Sequence, residues 1–182
     1  MYILNNTADK SKAVVKNDTA GKIETKKASS VGILANKGTV TNLNILNILG
    51  SGSAGIYGTT DSEISNLGNI TVKSDGSAGI YANNSNVTNS LNITAEKGTS
   101  AGIYAIASKA KDIKNLGTIN VGLATTPASE EKGVGIYAGL TGGSGVLNVL
   151  NDTAKNININ IKNSVGIYAK NGTGTKTDVD AV

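Results

Sequence analysis

Two short acidic phrases are the first residues of this 182-residue sequence that could do chemistry. Asp61-Ser62-Glu63 and Asp178-Val179-Asp180 each set two carboxylates two residues apart, which on an extended strand is one face. Paired carboxylates can share the acid and nucleophile roles of glycoside hydrolysis. Nothing in the composition assists them. The sequence has no His and no Cys, and its 17 basic residues are all Lys. That removes the usual zinc ligand sets, thiol nucleophiles and imidazole bases. The expectation is therefore no enzyme, no cofactor and no metal site, with a polysaccharide-active β-helix enzyme as the alternative.

Gly50-Ser51-Gly52-Ser53-Ala54-Gly55 has the spacing of a dinucleotide loop. That loop needs a strand before it and a helix N-terminus after it. Here Gly55 opens a strand and belongs to a repeat, so the match is coincidental. The net charge of +4 comes from scattered Lys without Arg forks or interleaved aromatics, so no nucleic-acid partner is expected. No apolar run reaches the roughly 18 residues of a membrane helix. Met1-Tyr2-Ile3-Leu4 passes straight into a polar stretch, so no signal peptide is expected in this sequence.

The elements that must position any site come from an internal repeat. Ser53-Ala54-Gly55-Ile56-Tyr57-Gly58 returns as Ser77-Ala78-Gly79-Ile80-Tyr81-Ala82 and Ser100-Ala101-Gly102-Ile103-Tyr104-Ala105. Variants occur at Ser30 to Ala35, Gly133 to Ala138 and Ser164 to Ala169. The glycines that anchor the copies are Gly32, Gly55, Gly79, Gly102, Gly135 and Gly166. Tyr2 lies one interval before Leu34, so all six Tyr share one register and the chain is expected to start inside an earlier copy. A β-branched residue, any residue and Asn recur at Val40-Thr41-Asn42, Ile64-Ser65-Asn66, Val87-Thr88-Asn89 and Ile113-Lys114-Asn115. A third phrase ends seven residues before the glycine, as in Ile70-Thr71-Val72, Ile93-Thr94-Ala95 and Ile157-Asn158-Ile159. Gly, Asn, Ser and Asp separate these segments, and they are turn formers.

Three short strands per repeat of about 23 to 33 residues make one coil of a parallel β-helix. The expected body is all-β, a single unit over residues 1–182, with six or seven coils. Stacking at about 4.8 Å per coil gives a rod on the order of 30 Å long. Strict alternation along the main phrase would bury Val31, Ile33 and Ala35, with Ala54, Ala78, Ala101, Val134 and Val165 at the first of these positions. The structural core is then Ile33, Ile56, Ile80, Ile103, Ile136 and Ile167. The glycines would face outward with Tyr57, Tyr81, Tyr104, Tyr137 and Tyr168, which form a surface ladder. That ladder is either a rigidifying stack or a platform for sugar rings or a partner. The Asn at 42, 66, 89 and 115 would bond from coil to coil at one turn.

Departures from the repeat read as inserted loops at 106–112, 122–132 and 139–145. Solenoid insertions often build the binding face. The candidate partner-binding loop is Thr125, Thr126, Pro127, Ser129, Glu130 and Glu131. The first coil carries a Lys-rich excursion from Asp9 to Lys27.

Ser-Ala-Gly-Ile-Tyr-Ala, combined with Asn-Leu-Gly-Asn-Ile-Thr-Val at 66–72 and Asn-Leu-Gly-Thr-Ile-Asn-Val at 115–121, resembles the passenger region of autotransporter adhesins. The resemblance is strongest to fusobacterial outer-membrane proteins of the RadD type and spans roughly residues 23 to 177. It implies a right-handed parallel β-helix, secreted through a C-terminal β-barrel and displayed on the bacterial cell surface. It also implies flanking coils in a longer parent protein, of which this chain would be an internal fragment. The implied function is a virulence-associated adhesin or rigid stalk, with a host-cell or bacterial surface protein or glycan as partner. A pure spacer without ligand is the further alternative.

Overall fold

The computed structural model describes residues 2–4, 13–123, 132–142 and 145–170. Within them the chain is a parallel β-helix with three sheets and no helix. The first sheet stacks β1 (Tyr2–Leu4), β4 (Val31–Asn36), β7 (Ala54–Thr59), β10 (Ala78–Asn83), β13 (Ala101–Ala107), β16 (Val134–Leu140) and β19 (Val165–Lys170). The second stacks β2 (Val14–Asn17), β5 (Thr39–Asn42), β8 (Glu63–Asn66), β11 (Asn86–Asn89), β14 (Lys111–Asn115) and β17 (Leu147–Asn151). The third stacks β3 (Ile23–Thr25), β6 (Leu46–Ile48), β9 (Ile70–Val72), β12 (Ile93–Ala95), β15 (Ile119–Val121) and β18 (Ile157–Ile159).

Each coil gives one strand to each sheet, so every strand pairs with its own counterpart in the next coil. Tyr57 lies opposite Tyr81, Ile64 opposite Val87 and Ile70 opposite Ile93. Tyr2 pairs with Leu34, which places it in the register of the other Tyr. Like residues therefore stack on like residues in the Ile, Tyr and Asn rows.

The lumen is filled by single rows of aliphatic side chains. Ile33, Ile56, Ile80, Ile103 and Ile136 are all fully buried, and Ile167 in the last described coil is half-buried. Val40, Ile64, Val87 and Ile113 line the second wall, and Ile70, Val72, Ile93, Ile119 and Val121 the third. Each such burial contributes roughly 1.5 to 3 kcal/mol. With no large aromatic to span the lumen, no single coil holds a core of its own, and stability resides in the stack.

The main phrase does not alternate through its glycine, which corrects the expected faces. A Cβ built on Gly79 would point into the interior, 2.8 Å from Cγ2 of Ile93, and would lie 2.7 Å from the carbonyl oxygen of Gly102. The glycine is thus the inward residue at a corner where successive backbones nearly touch. The ladder pairs Ala78 with Ala101 and Ile80 with Ile103 but passes over Gly79. The chain bends there, and the preceding residue is turned outward. Ala54, Ala78 and Ala101 are buried as expected, at 7%, 6% and 7% exposed, but they lie outside the lumen cluster and floor a surface groove, while Val31 is half-buried and Val165 is 40% exposed. Val134 is half-buried at the same position.

One expected insertion is corrected as well, and a second in part. Residues 106–112 are not a loop: Ile106 and Ala107 extend β13, Lys111 begins β14, and only Ser108 to Ala110 lie between. Gly139 and Leu140 likewise extend β16, where they pair with Ile106 and Ala107. Some of the extra residues of these coils thus lengthen strands, while the rest of the expected 139–145 insertion falls between β16 and β17. The stretch from Asp9 to Lys27, read as an excursion, contains β2 and β3.

An asparagine ladder runs through the second corner. Asn17 donates to Asn42 (2.8 Å), and Asn42 to Asn66, Asn66 to Asn89, Asn89 to Asn115 and Asn115 to Asn151 (each 2.7 Å). The second Nδ2 proton of Asn66, Asn89 and Asn115 goes to the backbone carbonyl two residues on. Asn42, Asn66, Asn89 and Asn115 are fully buried. The sequence anticipated these four; Asn17 and Asn151 continue the row, and Val15-Lys16-Asn17 and Val149-Leu150-Asn151 carry the same phrase.

Ile80→Asp places an unpaired charge in the lumen and is expected to cost more than about 4 kcal/mol, enough to abolish the folded signal in circular dichroism. Tyr81→Ser loses two ring contacts and should cost only about 1 to 3 kcal/mol. The reverse ranking in thermal melts would show that the faces are misassigned. Asn66→Ala strands the Asn42 donor and the Asn89 acceptor, so its expected cost is about 3 kcal/mol or more. Asn151→Ala, at the half-buried end of the row, should cost about 1 kcal/mol. Equal melting temperatures for the two variants would mean that the ladder carries no stability.

Candidate functional site

The outward-turned residue beside each glycine creates a groove along the first sheet. Its floor is Val31, Ala54, Ala78 and Ala101. One wall is the row of Tyr57, Tyr81 and Tyr104, and the other is the turn row of Ser29, Gly52, Gly76 and Thr99. The groove encloses about 530 Å³. These four turn residues share the left-handed conformation, with φ of 55° at Ser29, 62° at Gly52 and Gly76, and 58° at Thr99. The strain that this places on Ser29 and Thr99 is offset by local bonding. Thr99 Oγ1 accepts from the Gly76 amide (3.0 Å), and Ser53 Oγ from the Ser30 amide (3.0 Å).

The tyrosine ladder extends beyond the groove to Tyr137 and Tyr168. Ring centroids are 4.7, 5.2, 4.4 and 5.5 Å apart from Tyr57 to Tyr168. Tyr57 meets Tyr81 edge-on, whereas the remaining pairs are stacked within 20° of parallel. Stacked rings cover one another's faces. That arrangement stiffens the sheet and covers ring faces from Tyr81 to Tyr168, whereas Tyr57 makes only an edge-to-face contact with Tyr81. A sugar platform needs an open face, so the geometry favours the rigidifying ladder. Burial, together with the adjacent Tyr57 phenol, holds the Tyr81 hydroxyl above its ordinary pKa. Tyr104 is raised by the same cause, with Tyr137 and Tyr81 adding to it.

The acidic phrase at Asp61 is brought into a structural cluster. Asp61 sits in a turn at φ 62°, and its carboxylate meets the Lys111 ammonium at 2.7 Å. Lys111 occupies a corner position held by Gly38, Ser62 and Ser85 in earlier coils, and its side chain is only 9% exposed. The ammonium reaches back past Ser85 to clamp two coils. Glu63 points outward and accepts from the Asn86 amide (2.8 Å). The two carboxylates are thus tied to different coils rather than converging on one reacting atom. Asp178 and Asp180 lie outside the described residues.

The candidate loop residues Thr125, Thr126, Pro127, Ser129, Glu130 and Glu131 also lie outside the described residues. Its described flanks are Gly122, at φ 80°, and Lys132, whose carbonyl accepts from the Thr99 amide (2.7 Å). The groove floor and turn row were missed in sequence because alternation had been carried unbroken through the glycine. The recurring phrase of a small residue, Gly and Ile was the available signal. Among the described residues no group of His, Cys, Asp and Glu could hold a metal ion. No family model matches the chain, and neither the curated proteins nor the solved structures contain a significant match.

Removing one partner of the Asp61–Lys111 pair leaves the other charge uncompensated. Asp61→Asn tolerates the left-handed backbone and should cost about 2 kcal/mol, less than a fully buried pair because Asp61 is a third exposed. Lys111→Met keeps the buried stem and should stay within about 1 kcal/mol of the parent. Denaturant melts that show the opposite order would mean that the pair does not clamp the coils.

Proposed function

We propose that the chain is a segment of a surface-displayed rod that attaches cells or holds an attachment site away from the membrane. The observation that carries this reading is continuity. The Asn ladder joins six consecutive coils, and the Tyr ladder joins five, so the segment behaves as one stiff body. Rigidity in a rod transmits position and force. The paired carboxylates of Asp61 and Glu63, by contrast, are engaged in coil-to-coil bonds, which favours a mechanical role over catalysis. The resemblance to autotransporter passengers supports display outside the cell.

In this reading the stack supplies reach, and the segment between Gly122 and Lys132 supplies variable contacts. The groove beside the Tyr row offers a second, regular surface. The partner is a protein or glycan on another cell.

Purified folded protein is expected to bind bacterial or host cells saturably. Deletion of residues 122–132 should weaken that binding by at least about tenfold, as loss of an interface hot spot does. Binding unchanged by the deletion would move the adhesive surface to the groove or the sheets. A folded protein that binds no cell would be a spacer, with the adhesive site elsewhere in the parent.

A further inference from the structure

We propose that Tyr104 and Tyr137 form an oxidative cross-linking site, at which a hydroperoxide-driven one-electron oxidant joins the rings and staples two coils covalently. The two are the tightest pair in the row, with centroids 4.4 Å apart and planes within 3° of parallel. Strand pairing sets them directly opposite each other. Parallel overlap at that distance brings the ortho carbons of one ring beside those of the other. Both rings are half-exposed, so a small oxidant or a diffusing radical reaches them.

The chemistry balances. Each phenol loses one electron and its hydroxyl proton, giving a phenoxyl radical whose spin is shared by the oxygen and the ortho carbons. The two unpaired electrons form one carbon–carbon bond between ortho positions. The hydrogens on those carbons then move to the oxygens and restore both phenols. The chain has lost two hydrogens, and one hydrogen peroxide has become two waters. The other rings, 4.7 to 5.5 Å apart, form an unbroken path along which a radical made elsewhere on the row reaches this pair. Tyr168, 44% exposed, is the most open member of that path.

The position of the pair gives the staple its effect. Gly102 and Gly135 delimit the longest repeat in the chain, and the bond would close it from Tyr104 to Tyr137. Closing a long loop covalently removes freedom from the unfolded chain more than from the folded one. A rod in an oxidising environment would thereby reinforce its least regular coil.

The test treats dilute, folded full-length chain with a haem peroxidase and hydrogen peroxide, then digests it at Lys. The expected product is a monomer lighter by two hydrogens, with blue dityrosine fluorescence and a linked peptide pair of 98–109 and 133–155. The same treatment in urea should yield that pair about tenfold less, because prepositioning is lost. Tyr104→Phe, which keeps the stacked ring, should abolish the product with unchanged circular dichroism, while Tyr57→Phe should leave it intact. Linkage only between chains overturns the proposal, as does equal yield in urea or a dominant link to the Tyr81 peptide 74–97.

Discussion

The spacing of about 4.8 Å between parallel strands is the constraint on which this molecule depends. In a parallel stack with matched register, the nearest neighbour of each side chain is its own counterpart. A residue type can repeat along the rod only if it tolerates a copy of itself on both sides. Isoleucine does so by dispersion, and tyrosine by ring stacking. Asparagine does so because one amide both donates and accepts. A row of like carboxylates fails the test, and the second sheet avoids one. Its outer row runs Glu63, Asn86, Asp112 and Asn148, with an amide between the acids and bonds of 2.8 Å from Asn86 to Glu63 and 2.9 Å from Asn148 to Asp112.

The asparagine ladder has a direction. Every Nδ2 from Asn17 to Asn115 donates to the coil that follows, so the amide dipoles align. Buried hydrogen bonds in such a chain polarise one another. Asp at one of these positions could accept but not donate, and it would carry a charge into a corner where Asn42, Asn66, Asn89 and Asn115 are fully buried. Gln would carry an extra methylene into the same tight turn. The requirement for Asn is therefore both electrostatic and steric.

Much of this was legible in the sequence because periodicity in a solenoid is itself a contact map. The glycine spacing revealed the coils, and the shared Tyr register revealed the ladder. The β-branched residue followed two positions later by Asn marked the second corner. What was not legible was local. A Gly-Ile pair with both residues facing inward breaks alternation, and no composition rule marks that break; it is seen only in the space at Gly79, where a Cβ would lie 2.7 Å from the Gly102 carbonyl oxygen. Extra residues at 106–112 and 139–140 lengthen two adjacent strands together, which a single coil cannot reveal. The reach of Lys111 to Asp61 skips a coil, so it has no signature in the repeat. A repeat motif records stacking and not recognition, so a partner-binding surface has no signature in it.

The groove follows from the same constraint that builds the core. Glycine is required where successive backbones close to near contact, and that bend turns the residue before it outward. Small residues at Ala54, Ala78 and Ala101 then leave a trough beside the tyrosines, since a larger side chain there would crowd its own copies. The surface feature and the lumen are thus one consequence of stacking, repeated coil by coil. Variation without loss of fold is confined to positions outside these rows, namely the turns and the lengthened coils. A rod built this way can change what it contacts while its ladders, and hence its stiffness, stay the same.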